Sequence, residues 1–91
     1  MTTSLPETTV PRLRTGVRLT SDPARGELAL LPERVVVLND TAAAVLGHCD
    51  DTATVGRIVE HLAQEYDGVS AEDVCELLLR LAERRVVDLD G

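Results

Sequence analysis

The feature that most limits what this chain can fold into is a change of hydrophobic period at Asn39. Before it, apolar and polar residues alternate over short stretches bounded by Pro and Gly, the pattern of half-buried strands. After it, apolar residues recur every three to four positions, the pattern of helices that bury one face. Strands first and helices second, without alternation, predict an α+β domain and not a parallel α/β sheet. A chain of 91 residues suffices for one domain with one modest core.

The strand half reads as three short elements. Val17-Arg18-Leu19-Thr20 alternates. Ser21-Asp22-Pro23-Ala24-Arg25-Gly26 is a turn in which Pro23 pre-sets φ and Gly26 supplies a positive one. Glu27-Leu28-Ala29-Leu30-Leu31 follows, then the tight link Pro32-Glu33, then Arg34-Val35-Val36-Val37-Leu38, whose β-branched run is the strongest strand signal in the sequence. In the helical half, Asn39 or Asp40 caps a first helix through residues 42–46 that ends near Gly47. Thr54 caps a second, with apolar positions Val55, Ile58, Val59 and Leu62, stopping at Asp67-Gly68. Ser70-Ala71-Glu72-Asp73 resembles a capping box and opens a third that runs to about Arg84. Val86-Val87-Asp88-Leu89 forms a terminal strand or an extended tail. The predicted architecture is a three-stranded antiparallel sheet followed by three helices. Residues 1–15, with Pro6 and Pro11 and no periodicity, read as a flexible N-terminal arm, and residues 16–91 as the domain.

The core must be aliphatic, because Tyr66 is the one aromatic residue beside 14 Leu, 12 Val, 9 Ala and one Ile. That inventory leaves no stacking platform for single-stranded nucleic acid. Nine Arg and no Lys against 16 acidic residues give a net charge of −7, which repels phosphate backbones and anionic membranes. Two helices joined by a Gly turn invite comparison with a helix-turn-helix. However, residues 54–85 carry four Arg against seven acids, a net −3, and the would-be recognition helix opens on Glu72, Asp73 and Glu76, where a DNA reader wants Arg, Lys, Asn or Gln. No apolar run approaches the roughly 18 residues of a spanning helix. The first fifteen residues hold no apolar signal region, so the chain reads as cytoplasmic.

No catalytic constellation is present: no Ser-His-Asp spacing, no Gly-rich phosphate loop, no His pair at metal spacing. Cys49 and Cys75 read as buried thiols. Together with His48 and His61 they match no zinc pattern, so neither a metal nor an organic cofactor is expected. Asp50-Asp51 reads as a charged turn and His61 as a solvated or capping side chain.

Two surpluses of apolar surface remain. On a helical wheel with Val74 at zero, Val74, Leu77, Leu78 and Leu81 fall between about −60° and +40°, and Cys75, Leu79, Ala82 and Val86 in a second stripe between about 80° and 140°. The arc spans about 200°, twice what one core contact needs. The second stripe either packs on the sheet or tail, or lines a groove for an apolar partner through Cys75, Leu79 and Ala82. The run Arg34, Val35, Val36, Val37 and Leu38 carries a similar excess, and an apolar edge strand is either covered or used as a template for another strand. A module that dimerises by exchanging this edge or the N-terminal arm satisfies the same surpluses.

The ordered set Leu31-Pro32-Glu33, Val36-Val37-Leu38-Asn39-Asp40-Thr41-Ala42, Val45-Leu46, Cys49-Asp50, Thr54-Val55 and Ile58 resembles the PqqD family. Gly16-Val17-Arg18-Leu19 upstream and Leu62, Tyr66, Asp73-Val74, Leu77 and Leu81 downstream extend the resemblance from about Pro11 to Val87. The chain departs from that pattern at Asp50-Asp51, where the family usually shows Asp-Gly, and at Val86-Val87, where it often has an aromatic residue. The resemblance implies a winged-helix-like, non-catalytic peptide chaperone of pyrroloquinoline quinone biosynthesis. Such a protein binds the precursor peptide PqqA and presents it to the radical SAM enzyme PqqE. The peptide is expected to add as a strand beside the third strand and to lie against the third helix. The implied protein is a monomer or a strand-exchanged homodimer. A recognition element for a different ribosomally made, modified peptide is the alternative, and a small winged-helix DNA-binding regulator a more distant one.

Overall fold

The computed structural model describes residues 5–50 and 52–89. Residues 1–4, Asp51 and residues 90–91 lie outside the described part, and with them half of the Asp50-Asp51 turn. The elements follow the order β1 (Arg12–Leu13), β2 (Arg18–Asp22), β3 (Gly26–Leu30), β4 (Val35–Val37), α1 (Asp40–Gly47), α2 (Val55–Glu65), α3 (Ala71–Glu83) and β5 (Val87–Asp88). The α+β architecture expected from the change of period holds. β2, β3 and β4 form an antiparallel sheet in that order, with β3 central and β4 at an edge.

Local chemistry explains most boundaries. At the β2–β3 hairpin the Asp22 carboxylate accepts from the N–H groups of Ala24 and Arg25 at 2.7 and 3.1 Å, and Gly26 takes φ +85°. Each helix begins on an oxygen-bearing side chain that satisfies an otherwise unpaired N–H of the first turn. Asn39 accepts from Ala42 at 2.7 Å, Thr54 from Arg57 at 3.2 Å and Ser70 from Asp73 at 3.2 Å. Between α1 and α2 the Asp50 carboxylate gathers the Thr52 hydroxyl at 2.8 Å and the N–H groups of Thr52 and Ala53 at 3.1 Å.

The end of α3 uses a paired C-terminal cap. The Val86 N–H reaches the Leu81 carbonyl at 2.9 Å and the Arg85 N–H reaches the Ala82 carbonyl at 3.0 Å. This geometry needs a left-handed residue between them and normally selects Gly. Here Arg85 occupies it with φ 65°.

The core is aliphatic throughout. Leu46, Ile58, Leu62, Leu78, Val45, Val55, Val74, Val86 and Val87 are almost wholly buried, and Tyr66 is exposed. It lies where the three helices and β5 meet the inner face of the sheet, which contributes Ala29 and Val36.

Of the arm expected over residues 1–15, residues 1–4 lie outside the described part, and residues 7–13 make specific contacts with the domain. The Thr9 carbonyl accepts from the Val55 N–H at 2.8 Å and the Glu7 carbonyl from the Gly56 N–H at 3.1 Å. The arm thus satisfies donors of the first turn of α2 that have no partner within the helix. Thr9 and Pro11 are buried, and β1 pairs antiparallel with β5, Arg12 opposite Asp88 and Leu13 opposite Val87. Residues 7–13 are thereby tied to the start of α2 and to β5.

Candidate functional site

β4 is short, apolar and open on one side. Its register against β3 sets Val37 opposite Leu28, Val36 opposite Ala29 and Val35 opposite Leu30. The Leu38 N–H bonds the Glu27 carbonyl, and the Leu31 N–H bonds the Arg34 carbonyl, both at 2.9 Å. Antiparallel ladders alternate bonded and non-bonded pairs. Arg34, Val36 and Leu38 therefore direct their main-chain groups toward β3, and Val35 and Val37 direct theirs to the open edge. The side chains alternate in the opposite sense to what a purely buried strand would show. Val36 is buried, while Val35 is 46 % exposed and Val37 60 %.

Beside this edge a groove runs between β4 and α3. Val36, Leu38, Ala42, Leu77 and Leu81 supply its apolar lining, and Val37, Asn39, Arg80 and Arg84 complete it. The two walls are stitched at one end, where the Arg34 guanidinium donates to the main-chain carbonyl of Arg84. Arg80 is held by Glu76 at 3.0 Å, one turn away on the exposed face. What this arrangement can do chemically is pair with an extended chain through the Val35 and Val37 main chain while accepting apolar side chains over Leu77 and Leu81.

Of the expected site residues, Val35, Val36 and Val37 form β4, Val36, Val37 and Leu38 line the groove, and Arg34 lies at its end. Cys75, Leu79 and Ala82 do not line it. Cys75 is 4 % exposed and belongs to the core, and half-buried Leu79 and Ala82 lie outside the groove lining. The reason is a rotation of the helix. Burial of Val74, Cys75, Leu78 and Leu81 centres the core near +40° on the wheel, not near zero. The groove therefore falls on the flank at about −60° to −120°, which carries Leu77, Arg80 and Arg84. Sequence reasoning assigned Leu77 to the core and missed both arginines. The available signal was Arg at i+3 and i+7 from Leu77, an apolar residue bordered by a cationic strip.

The remaining chemistry-bearing residues sit elsewhere. Cys49 and Cys75 are buried, and the Cys49 thiol donates to the Val45 carbonyl at 3.4 Å. His48, at the end of α1, lies edge-on to His61 at 5.2 Å between ring centroids and contacts Glu65 at 3.3 Å. Among the described residues no group of three or more His, Cys, Asp or Glu is placed to hold a metal ion, and no helix is long and apolar enough to cross a membrane. The Asp50 carboxyl is held below the usual range, first by the Thr52 hydroxyl and then by the N–H groups of Thr52 and Ala53. The Asp22 carboxyl is likewise lowered, by the N–H groups of Ala24 and Arg25.

Comparison with known proteins identifies the family of the chain. A relative named PqqA binding protein from Xanthomonas campestris pv. campestris (strain 8004) is 43 % identical over 83 residues, covering 87 % of this chain and 90 % of its own length. The PqqA binding protein of Xanthomonas oryzae pv. oryzae (strain PXO99A) is 42 % identical over the same coverage. Among solved structures, the PqqD truncation of Methylobacterium extorquens PqqCD, a stand-alone RiPP recognition element, superposes with a TM-score of 0.73 at 37 % identity, covering 94 % of this chain and 96 % of that one. A lasso peptide synthetase B1 complexed with its leader peptide superposes with a TM-score of 0.72 at 26 % identity, covering 87 % and 98 %. The family described as Coenzyme PQQ synthesis protein D (PqqD) matches residues 27–87, a span that runs from within β3 through β4 and all three helices, and the chain belongs to that family.

Proposed function

We propose that this protein is a non-catalytic peptide chaperone that binds the precursor peptide PqqA as an added strand on β4 and holds it over the Leu77–Leu81 flank of α3 for the radical SAM enzyme PqqE in the cytoplasm. The observation that carries this reading is the open edge itself: the Val35 and Val37 main-chain groups face away from β3 directly beside an apolar groove. Strand addition takes its affinity from such main-chain groups and its specificity from the pockets beside them. The names of the relatives support PqqA as the peptide.

The test is a titration of isotope-labelled protein with PqqA, followed by amide NMR. Shifts should concentrate at Val35, Val37, Leu77 and Leu81 and leave the β1–β5 ladder unmoved. Saturable binding whose shifts mapped instead to α2 would overturn the strand-addition site. A second reading, recognition of a different modified peptide, is favoured by the similarity to a synthetase solved with its leader peptide. It predicts that PqqA fails to bind while another leader peptide shifts the same amides.

A further inference from the structure

The groove between β4 and α3 is polarised along its length. At the end where β4 begins, Arg34 and Arg84 meet, brought together by the bond from the Arg34 guanidinium to the Arg84 carbonyl. In the middle, Arg80 is neutralised by Glu76 at 3.0 Å. At the far end, where β4 gives way to α1, Asn39 and Thr41 face Asp73 and Glu76 across a second depression. Helix dipoles favour an acid at the start of α3 and a base at its end, which accounts for the signs of Asp73 and Arg84 on the helix itself. It does not account for Arg34, which comes from a strand and adds a second positive charge at the same end.

Arg84 is the available member of the pair. Arg84 lines the groove, and no carboxylate among the described residues lies within ion-pair distance of it. Among the described residues Arg25 and Arg80 are the arginines that hold ion pairs, so what distinguishes Arg84 is its place on the groove wall. A planar guanidinium on the wall of a groove suits the two oxygens of a carboxylate.

We propose that the groove reads a carboxylate on the bound strand, and thereby sets the direction in which that strand lies. An Asp or Glu side chain of the peptide sits over Arg84 beside the start of β4, its apolar side chains lie over Leu77 and Leu81, and its opposite end, free of acidic side chains, faces Asp73. Main-chain pairing alone accepts either strand direction, whereas reversing this strand would set its carboxylate against Asp73, the acid at that end that Arg80 does not neutralise. The proposal rests on the peptide-binding reading given above, and adds to it the charge pattern of the peptide.

The test uses the full chain with PqqA as the probe, measured by calorimetric titration. Arg84→Gln should weaken binding about 5- to 10-fold. Arg84→Lys, which keeps the charge without the fork, should recover part of that loss. Arg57→Gln, on the exposed face of α2 away from the groove, should leave affinity within twofold. A set of PqqA peptides with each Asp or Glu changed singly to Asn or Gln should contain one whose neutralisation weakens the wild-type protein by the same factor and the Arg84→Gln protein not at all. Wild-type binding that survives Arg84→Gln within twofold, with no peptide position coupled to Arg84, would overturn the carboxylate reading and leave strand addition standing. Failure of wild-type protein to bind PqqA at all would overturn both.

Discussion

Three consecutive leucines on α3 give the sharpest test of where the groove lies, because the structure sends each in a different direction. Leu78 is 0 % exposed within the core, Leu77 lines the groove, and Leu79 is half-buried on the opposite flank. Truncation to Ala removes three carbons in every case. At Leu78 the lost transfer is about 2.4 kcal/mol at about 0.8 kcal/mol per carbon, and the cavity left in an unyielding aliphatic core raises it to about 3–4 kcal/mol. A domain this small has a total stability on the order of 5–14 kcal/mol, and each kcal/mol moves Tm by about 4–8 °C. Leu78→Ala should therefore lower Tm by about 12–30 °C. Leu77→Ala and Leu79→Ala each remove a partly solvated contact worth about 1 kcal/mol, so Tm should fall by only about 4–8 °C. Their effects on peptide binding should differ. Leu77→Ala removes a wall of the groove and should weaken PqqA binding about 5- to 10-fold, whereas Leu79→Ala should leave it unchanged. Scanning calorimetry and titration on the three variants suffice. If Leu79→Ala lost affinity and Leu77→Ala did not, the assignment of the groove to the Leu77 flank would be refuted.

The alternation of β4 predicts opposite outcomes for two neighbouring prolines. Val37→Pro removes an N–H that faces the open edge, so the protein should stay folded by circular dichroism and lose peptide binding, while Val36→Pro removes a ladder bond to β3 and should destabilise the sheet by about 3 kcal/mol. Arg85→Gly relieves a left-handed non-glycine residue at the end of α3 and should raise Tm by a few degrees, since the conformational relief of about 1–2 kcal/mol exceeds the added entropy of an unfolded Gly; an unchanged or lower Tm would mean that the Arg85 side chain supplies contacts of equal worth. Asp50 has a folded pKa held below its unfolded value by the Thr52 hydroxyl and the N–H groups of Thr52 and Ala53. Its contribution to stability is complete above the unfolded value of about 3.9 and is lost as pH falls through the lower folded value. The Tm of wild type should accordingly drop more steeply below about pH 4 than that of Asp50→Asn, and parallel acid curves for the two proteins would contradict this.

What the sequence determined by itself is everything governed by interactions within a few residues. Asn39, Thr54 and Ser70 cap the helices they were expected to cap, because a capping oxygen and the N–H it serves lie within one turn. Gly26 takes the positive φ expected of it, and Val35, Val36 and Val37 form a strand, because turn chemistry and β-branching act locally. The change of period at Asn39 separated the sheet from the helices for the same reason. Only the tertiary structure decided three further things. Residues 7–13 carry no periodicity, yet they take defined places, because the Glu7 and Thr9 carbonyls meet the start of α2 and the Arg12–Leu13 strand meets β5 from the other end of the chain. Arg85 accepts a left-handed backbone because Val86 must turn back and bury itself completely. The apolar arc of α3 covers about 200° on the wheel, and no pattern within the helix says which flank its neighbours will cover. Packing against β5 and the other helices turned Cys75 inward and left Leu77, with Arg80 and Arg84, beside the open edge of β4. A helix records in its own sequence how much apolar surface it carries, but which part of that surface stays free is fixed by elements that are distant in the chain.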